Sequence, residues 1–599
     1  MIMKPFFYYT LLAGALLAGC KKQLDQEPQS TASKSAVFGS EKGLALYSNS
    51  FYAVVPDANA ALRGDEISDF GARTGIPDLL MATGYGPIQG SGWDWGNLRN
   101  INYFIANCTD PAVSADIRRN YVAMARFFRA WFYFDKVKRF GNVPWISRPM
   151  DVNDSALYRG RDPRTLVMDS VLADLNFASQ YITTSDNTTR SLVTKYTALA
   201  LKARICLFEG TFRKYHDIPG GLAEGLKGTA ASWLTDAADA AQKVMTEGGF
   251  SLNTANGTDM SYRQLFISNA PVAGEIILSD VCDAALSVLN DANWYWTSAT
   301  YGARLSFSRT FVNTYLNIDG TPFTNNAGYQ TMVFVNEVKN RDKRLQQTIR
   351  MGSYKRTNGG AQEAAPPVFS YTYTGYQPIK WCVDDVSYDG GTRNTNSICV
   401  MRYAEVLLNY AEAKAELGTF TDADWAKTIG ALRSRAGITG GLTTKPVTAD
   451  TYLQTNYYPD INDPALLEIR RERAIELAWE GFRLYDLVRW HHGELLSKTW
   501  NGFYVPALDT PMDLNGDGIN DVYFYKTPPA SQPAGMTYVN VAPTLSTGAA
   551  NPQRLSNDTY GELTWLNNVT RKWEEKKYLY PIPQADLNVN PKLGQNPGW

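Results

Sequence analysis

Apolar residues recur every three or four positions in several stretches of this chain, and this spacing predicts α-helices. The longest stretch, residues 116–139, carries one apolar stripe and stops at Gly141 and Pro144, which both end helices. Two further helices are predicted to begin at the capping residues Thr194 and Ser232. The amino-terminal part of the chain is therefore predicted to be mainly helical.

A helical hairpin is predicted further along the chain. Residues 401–417 and 422–436 both keep helical spacing, with a break at Gly418. The length of this unit is near the tetratricopeptide (TPR) period, and its alanines allow close packing, although the repeat's own consensus is absent. A last long helix is predicted from Asp463 to Glu480.

Long stretches rich in Gly, Asn, Thr and Tyr separate the helices. They cover residues 70–96, 253–307, 352–397 and 500–554. Loops of this length in a compact protein are usually functional or carry short strands. We therefore predict an all-α fold, a TPR-like scaffold of helical pairs with long irregular loops and a few short strands.

The amino terminus has the pattern of an export signal. An apolar run at residues 6–17 follows Lys4, is too short to span a bilayer, and ends in small residues directly before Cys20. This pattern is typical of a bacterial lipoprotein signal, in which residues 1–19 are removed and Cys20 carries the lipid. Residues 20–35 then form a flexible tether. The alternative is an ordinary secretory signal with an incidental cysteine.

The amino-acid composition argues against several classes of function. The 599 residues carry a net charge of −1, without the basic excess expected of a nucleic-acid binder. Only three histidines are present and no CxxC pair occurs, so a zinc framework or a Ser-His-Asp site has little to draw on. Whether Cys382 and Cys399 form a disulfide stays open. The 15 Trp and 35 Tyr suit sugar surfaces and core packing equally well.

Five sequence blocks occur together in a fixed order. They are ARFFRAWFYFD (125–135) with RFGNVP (139–144), DGT (319–321) with NRDKR (340–344), MRYAEVLL (401–408) with AEA (411–413) and RSRAG (433–437), RRER (470–473) leading to EGFR (480–483) and DL (486–487), and YPIP (580–583) with QNPGW (595–599). Beside the lipoprotein signal, this set resembles the SusD/RagB family of Bacteroidetes surface lipoproteins, over practically the whole mature chain.

The resemblance implies several properties. It implies a SusD-like region at residues 36–250 intergrown with a second at residues 251–599, an address on the outer face of the outer membrane, and no catalysis. It also implies a partner, a SusC-like TonB-dependent barrel that the protein covers as a lid while it captures oligosaccharide. A peptide cargo is also possible within such a family.

Glu468, Glu472, Glu476 and Glu480 form one column at i,i+4 spacing, which would repel itself unless arginines intervene. The available arginines are Arg471, Arg473, Arg483 and, further away, Arg402 or Arg433. A glycosidase would use two such carboxylates as acid and nucleophile. A helix-borne Glu/Arg ladder more commonly ties helices together, so the structural interpretation is favoured.

Sugar binding needs exposed rings and planar polar groups on ordered loops. Two regions meet this requirement, one within residues 63–97 and one within residues 293–301. In the SusD/RagB family, which this chain resembles, the ligand platform is built from loops at roughly these places. The candidate residues are Arg63, Asp65, Asp69, Trp93, Asn97, Trp294, Tyr295, Trp296 and Tyr301. Three consecutive aromatic residues at 294–296 cannot all point into a core, so at least one is expected to face solvent or ligand. The alternative for each tryptophan is simple burial.

Residues 513–521 match the start of an EF-hand calcium loop. The predicted ligands are Asp513, Asn515, Asp517, the carbonyl of Ile519, and Asp521. The bidentate Glu of position 12 is missing, because Phe524 stands there. A structural calcium is therefore predicted against the alternative of an Asn/Gly turn. No other cofactor is required by the sequence.

The leading hypothesis from sequence is a surface glycan-binding lipoprotein that serves a TonB-dependent importer. An exported glycoside hydrolase and a TPR-type protein-binding scaffold are the alternatives.

Overall fold

A computed structural model describes residues 34–185 and 187–599. The predicted signal peptide, the lipidation site Cys20 and nearly all of the tether therefore lie outside the described residues. Helix accounts for 42% and strand for 11% of the structure, so the prediction of an all-α fold with a few short strands is confirmed. Within the described ranges, no helix is both long enough and apolar enough to cross a membrane.

Nine α-helices are eight residues or longer within the described ranges. They are Glu41–Ser48, Gly96–Asn107, Ala115–Phe140, Arg164–Tyr181, Lys195–Tyr215, Ala230–Glu247, Gly257–Ile267, Tyr403–Glu416 and Pro464–Glu476. Shorter α-helices are Lys34–Phe38, Ala58–Arg63, Ala292–Thr297, Arg309–Val312, Phe334–Glu337, Asp422–Trp425, Ala431–Arg435, Thr451–Asn456, Arg483–Arg489 and Gln584–Val589, with a π-helical turn at Ala426–Gly430.

The long helices pack side by side in chain order. Ala115–Phe140 packs on Arg164–Tyr181, which packs on Lys195–Tyr215, and this helix packs on Ala230–Glu247. The next neighbour is Tyr403–Glu416, which comes much later in the chain and also contacts the Pro464–Glu476 helix. Each helix thus buries its apolar stripe against the next, as helical-pair scaffolds do.

Helix boundaries test the sequence rules directly. Thr194 caps the Lys195–Tyr215 helix as predicted, through a capping box with Thr197. The prediction that Ser232 is a cap is wrong, because a 3₁₀ turn runs directly into the helix at Ala230. The last long helix ends at Glu476 rather than at Glu480, and Trp479 then adopts a positive φ of 64°.

The strands are short and form small separate sheets. Gly71–Ala72 pairs with Ser306–Phe307, Ile276–Asp280 with Ile398–Arg402, and Lys355–Asn358 with Ala361–Ala364, all antiparallel. Val522–Tyr525 pairs in parallel with Thr537–Asn540, and Gln553–Leu555, Gly561–Trp565 and Trp500–Val505 form an antiparallel three-stranded sheet in that order. These sheets give the long loops an ordered framework.

Two hydrophobic cores hold the described residues together. The larger lies among the helices from Phe38 to Val244 and also takes in Met401 to Leu496. The smaller lies within the loop-rich region and is centred on large rings that include Phe307, Trp381, Trp479 and Phe503. The first core therefore draws on both parts of the chain rather than stopping near residue 250.

The glutamate column is the ionic junction between these cores. Glu476 accepts from Arg402 at 2.6 Å and from Arg344 at 2.8 Å, and it also pairs with Arg435. The Glu480 carboxylate accepts from Arg402 at 2.7 Å. Glu476 and these arginine side chains are at most 1% exposed. Arg344 and Arg435 are the partners that the sequence reasoning missed.

Glu468 and Glu472 complete the same network through Arg433, whose Nε lies 3.0 Å from a Glu472 oxygen. Burial alone would raise the pKa of Glu476, but its arginine neighbours hold that pKa well below the ordinary value. A general acid needs the opposite shift and access to substrate. The column is therefore unsuited to be a glycosidase pair and acts as scaffold.

Five cysteines fall within the described residues, and all five are buried free thiols. Cys382 and Cys399 are among them, so no disulfide joins them in this structure.

Candidate functional site

Two of the predicted site residues, Arg63 and Tyr301, meet at Asp291 in the loop-rich region. The Nη2 atom of Arg63 donates to a carboxylate oxygen of Asp291 at 2.6 Å, and the hydroxyl of Tyr301 donates to the same oxygen at 2.6 Å. Arg63 is the last residue of the Ala58–Arg63 helix, whereas Asp291 directly precedes the short Ala292–Thr297 helix. Asp291 was missed in sequence, although its position directly before the aromatic run was a usable signal.

The ring of Trp294 stacks on the ring of Tyr301. Their centroids are 3.6 Å apart and their planes differ by 13°. Both side chains are half-buried, so part of each ring faces solvent. The hydrogen bond to Asp291 raises the pKa of Tyr301, which holds the hydroxyl protonated and in place. The stack is therefore an ordered, partly exposed aromatic surface.

The other two residues of the aromatic run are buried, in contrast to the prediction that they contact ligand. Trp296 is 3% exposed and meets Trp479 edge-on at a centroid distance of 5.2 Å. Tyr295 is also 3% exposed, and its hydroxyl donates to Glu66. A helical turn points successive side chains about 100° apart, so the turn at Ala292–Thr297 presents Trp294 while burying its neighbours. The expectation that at least one of the three faces solvent holds for Trp294.

A second stacked pair lies close by and was missed in sequence. Tyr373 stacks on Trp565 with centroids 3.7 Å apart and planes 14° from parallel. The Nε1 atom of Trp565 donates to the carbonyl of Arg73 at 2.8 Å, which fixes the ring. Trp565 is half-buried, whereas Tyr373 is buried beneath it. No local signal pairs residues almost two hundred positions apart.

One segment connects the two pairs. Residues 298–304 carry Tyr301 of the first stack, and the guanidinium of Arg304 lies 5.5 Å from the ring centroid of Tyr373 in the second. The backbone N–H of Thr74 donates to the Ala303 carbonyl at 2.9 Å, and the Tyr373 hydroxyl bonds the Thr74 side chain at 3.2 Å. We refer to Trp294, Tyr301, Tyr373 and Trp565 as the aromatic platform.

Asp65 and Asp69 are scaffold residues, and their prediction as ligand contacts is wrong. Asp69 is 3% exposed and forms a two-pronged ion pair with Arg483 at 2.7 and 2.8 Å. Asp65 is 2% exposed and accepts from the backbone N–H groups of Gly481 and Arg483. Burial raises the pKa of Asp65 to about 7. Both aspartates therefore tie the 480–483 turn to the amino-terminal loop.

Trp93 and Asn97 belong to a different part of the surface. Trp93 is half-buried and packs edge-on against Trp95 and Phe140, with centroid distances of 5.2 and 5.0 Å. Asn97 donates to the carbonyl of Ala53 at 3.3 Å. Beside this loop lies a cavity of about 370 Å³ lined by residues that include Trp95. Trp93 and Asn97 therefore lie on a loop at the helical core, separate from Trp294 and Tyr301 of the platform.

The Asp513–Asp521 loop adopts a tight turn around Asp513. The Asp513 carboxylate accepts from the backbone N–H groups of Gly516 at 2.6 Å and Gly518 at 2.8 Å. Burial acts against ionisation, but these backbone donors lower the pKa of Asp513, whereas burial raises that of Asp521 to about 6. Among the described residues, one group of three His, Cys, Asp or Glu side chains has its ligand atoms within 4.8 Å of one another, and it does not include this loop. The carboxylate oxygens of Asp513, Asp517 and Asp521 therefore do not all lie within that distance of one another. The calcium site stays a prediction.

Comparisons with known proteins agree with this architecture. The family model for the SusD family matches residues 250–599. SusD-like protein P2 of Formosa agariphila is 24% identical over 381 residues, which are 61% of this chain and 64% of that protein. The match thus spans less than two thirds of that relative.

Solved structures share the fold over nearly the whole chain. A SusD-like protein from Bacteroides fragilis has a TM-score of 0.67 at 20% identity, covering 95% of this chain and 99% of that one. A SusD-like carbohydrate binding protein from the same species has a TM-score of 0.64 at 20% identity, covering 93% and 99%. Surface glycan-binding protein A from Bacteroides fluxus has a TM-score of 0.54 at 17% identity, covering 94% and 100%. The chain belongs to the SusD family.

Proposed function

We propose that this protein binds oligosaccharides at the aromatic platform. The observation that carries the proposal is the stacked Trp294–Tyr301 pair, held by Asp291 and Arg63 and left partly exposed. Sugars present apolar C–H faces that pack on aromatic rings, while hydroxyl groups at their edges bond planar polar side chains. Family membership supports the same function, because one similar solved structure is described as carbohydrate binding and another as glycan-binding.

The two half-buried tryptophans, Trp294 and Trp565, suit an extended ligand better than a single sugar. Each belongs to its own rigid stack, and residues 298–304 run between the stacks with the cationic side chain of Arg304. Since the rings are already ordered, little side-chain entropy is lost when ligand binds. We infer that the platform binds a chain of several sugar units.

We further propose that the protein is a cell-surface lipoprotein and not an enzyme. The lipid would be attached at Cys20 and would hold the protein on the outer membrane. The protein would pass its ligand to a SusC-like TonB-dependent transporter, for which it serves as a lid. Support for this role comes from the signal pattern and the family; co-purification of a barrel with the lipidated protein tests the partnership.

Calorimetry with a panel of oligosaccharides tests the binding function. Trp294→Ala is expected to weaken binding of a positive ligand about tenfold or more, equal to about 1.4 kcal/mol. Trp93→Ala, which alters the separate loop, is the matched control and is expected to leave the affinity unchanged. Absence of binding to any glycan, or equal affinity of wild type and Trp294→Ala, would contradict the platform; binding of peptides instead would redirect the assignment of ligand.

A further inference from the structure

Two of the chain's three histidines meet a glutamate at one point of the fold. One ring nitrogen of His216, one of His491 and one carboxylate oxygen of Glu575 all lie within 4.8 Å of one another. These residues come from three distant segments, namely the end of the Lys195–Tyr215 helix, the turn after Arg483–Arg489 and the 3₁₀ turn at Glu575–Tyr578. Neither the aromatic platform nor the glutamate column uses them.

His216 is oriented as metal-binding histidines usually are. Its Nε2 atom lies 2.7 Å from the backbone carbonyl of Val488, and since a carbonyl only accepts, Nε2 must carry the proton. The other nitrogen, Nδ1, therefore has a free lone pair. That atom is buried and has no hydrogen-bond partner among the described residues, while the side chain as a whole is 0% exposed. A buried acceptor without a partner is unfavourable unless a ligand is bound to it.

The ring of His216 is fixed from several sides. It stacks on Phe212 at a centroid distance of 4.0 Å and meets His491 edge-on at 4.7 Å. With the proton on Nε2 and no described hydrogen-bond partner at Nδ1, the imidazole is neutral and the Nδ1 lone pair is available. Metals bind histidine in this neutral form.

His491 and Glu575 complete the cluster from the solvent side. The Nε2 atom of His491 lies 3.2 Å from the Glu575 carboxylate, and the His491 ring stacks on Tyr578 at a centroid distance of 4.5 Å. One 3₁₀ turn thus supplies both the carboxylate and the ring that holds His491. The His491 side chain is 26% exposed and that of Glu575 57%, so an ion can enter from their side.

We propose that His216 Nδ1, His491 Nε2 and Glu575 bind one divalent first-row transition-metal ion, of which Zn²⁺ is the representative. Zinc accepts two imidazoles and a carboxylate, with bonds of about 2.0–2.2 Å that set the donor atoms about 3.3 Å apart. His491 and Glu575 already have this spacing. The nitrogen of His216 lies within 4.8 Å of both, and the two partly exposed side chains, His491 and Glu575, would move toward it when the ion binds. Water fills the fourth position. The ion would cross-link the helical core to the carboxyl-terminal segment, independently of glycan binding.

Zinc titration of the chelator-treated, full mature protein tests the site. Wild type is expected to bind one Zn²⁺ per chain by calorimetry, and zinc is expected to raise its melting temperature. Glu575→Gln and His491→Ala are each expected to weaken binding about tenfold or more. Both changes are at partly exposed positions, so folding, checked by circular dichroism, is retained. With Co²⁺ as a probe, the visible absorption of a tetrahedral site is expected in wild type and lost in both variants.

Glu494→Gln is the matched control. Glu494 is equally exposed, at 59%, and its carboxylate also contacts a histidine, His492, at 3.0 Å. This variant is expected to bind zinc like wild type. The proposal is overturned if wild type shows no saturable zinc binding, if Glu575→Gln binds as tightly as wild type, or if Glu494→Gln weakens binding as much as Glu575→Gln.

Discussion

The glutamate column and the aromatic platform are both built from charged and aromatic side chains, yet they differ in almost every physical respect. In the column, Glu476 and its arginines are almost fully buried and each charge meets an opposite charge. On the platform, rings such as Trp294 are half-buried and paired face to face. Buried charges are costly to leave unpaired, whereas an exposed ring can be removed at little cost. The first region therefore holds the fold and the second is free to serve a ligand.

Removing one arginine from the column is the strongest way to test this contrast. Arg402 contacts Glu275, Glu476 and Glu480, so Arg402→Ala removes one cationic partner from each of three buried carboxylates. We expect the free energy of unfolding to fall by about 3–5 kcal/mol in urea titrations. The control is Arg554→Ala, which breaks an exposed ion pair with Asp558 and is expected to cost about 1 kcal/mol or less.

Equal losses in the two arginine variants would mean that the column stabilises the protein no more than a surface ion pair does. The buried column would then not differ from exposed ion pairs in its contribution to stability.

Trp294 and Trp296 lie in the same short helix, and one is partly exposed whereas the other is buried. Trp296→Ala leaves a cavity against Trp479 and is expected to lower the free energy of unfolding by about 3–5 kcal/mol. Trp294→Ala is expected to lower it by about 1 kcal/mol or less, because part of that ring already faces solvent. Urea unfolding of the two single variants measures the difference. A large loss in Trp294→Ala would show that this ring is also part of the core.

These variants also show which features a sequence can predict. Helical spacing predicted residues 116–139 as a helix, close to the observed Ala115–Phe140, because a buried stripe is a local pattern. The same spacing carried the last helix too far, to Glu480. Tertiary contacts override the pattern there, since Trp479 leaves the helix to pack with Phe307 and Trp296.

The residues of the proposed aromatic platform were singled out in sequence only where the signal was local. A run of three aromatics marked Trp294, and the nearby Tyr301 followed from it. Sequence alone did not separate Trp294 from the buried Trp296, because that depends on how one short helix is rotated. The Tyr373–Trp565 stack joins residues that only the fold brings together, so no spacing rule would find it.

Acid is expected to lower the stability of the fold through the carboxylates of the column. Burial opposes ionisation of Glu476 and Glu480, yet their arginine and lysine partners lower each pKa below the ordinary value. Such groups stabilise the fold above their unfolded pKa, and this stability is lost as pH falls through the folded pKa. With two protons taken up on unfolding, the free energy of unfolding is expected to fall by about 2.7 kcal/mol per pH unit below pH ~4.

The pKa shift of Asp65 has the opposite sign to the shifts in the column. Because burial raises its pKa to about 7, its contribution is present at low pH and is lost as pH rises through 7. This loss begins at the unfolded pKa of ~4 and is complete above pH ~7, so maximum stability is expected at about pH 4–5. Urea titrations from pH 3 to pH 9, with Asp65→Asn as the control for the alkaline limb, check both limbs. A profile flat down to pH 3 would contradict the assigned role of the column.

The smallest effect on stability is expected at the Asp513–Asp521 loop, which lies at the surface and, unlike the column, is not part of a buried ionic network. Calcium here would bind carboxylates that otherwise repel one another, and it would stiffen one surface turn without touching either core. Removing calcium with EGTA is therefore expected to lower the melting temperature by only about 1–3 °C. Asp517→Asn is expected to show a similarly small drop and no response to EGTA, because Asp517 is an exposed predicted ligand. Glu494→Gln, which leaves both this loop and the proposed zinc site intact, should respond to EGTA like wild type. All variants are compared in zinc-free buffer containing calcium, before and after EGTA, because EGTA also binds zinc. An unchanged melting temperature and no calcium in the purified protein would identify the loop as an Asn/Gly turn held by the hydrogen bonds of Asp513 alone.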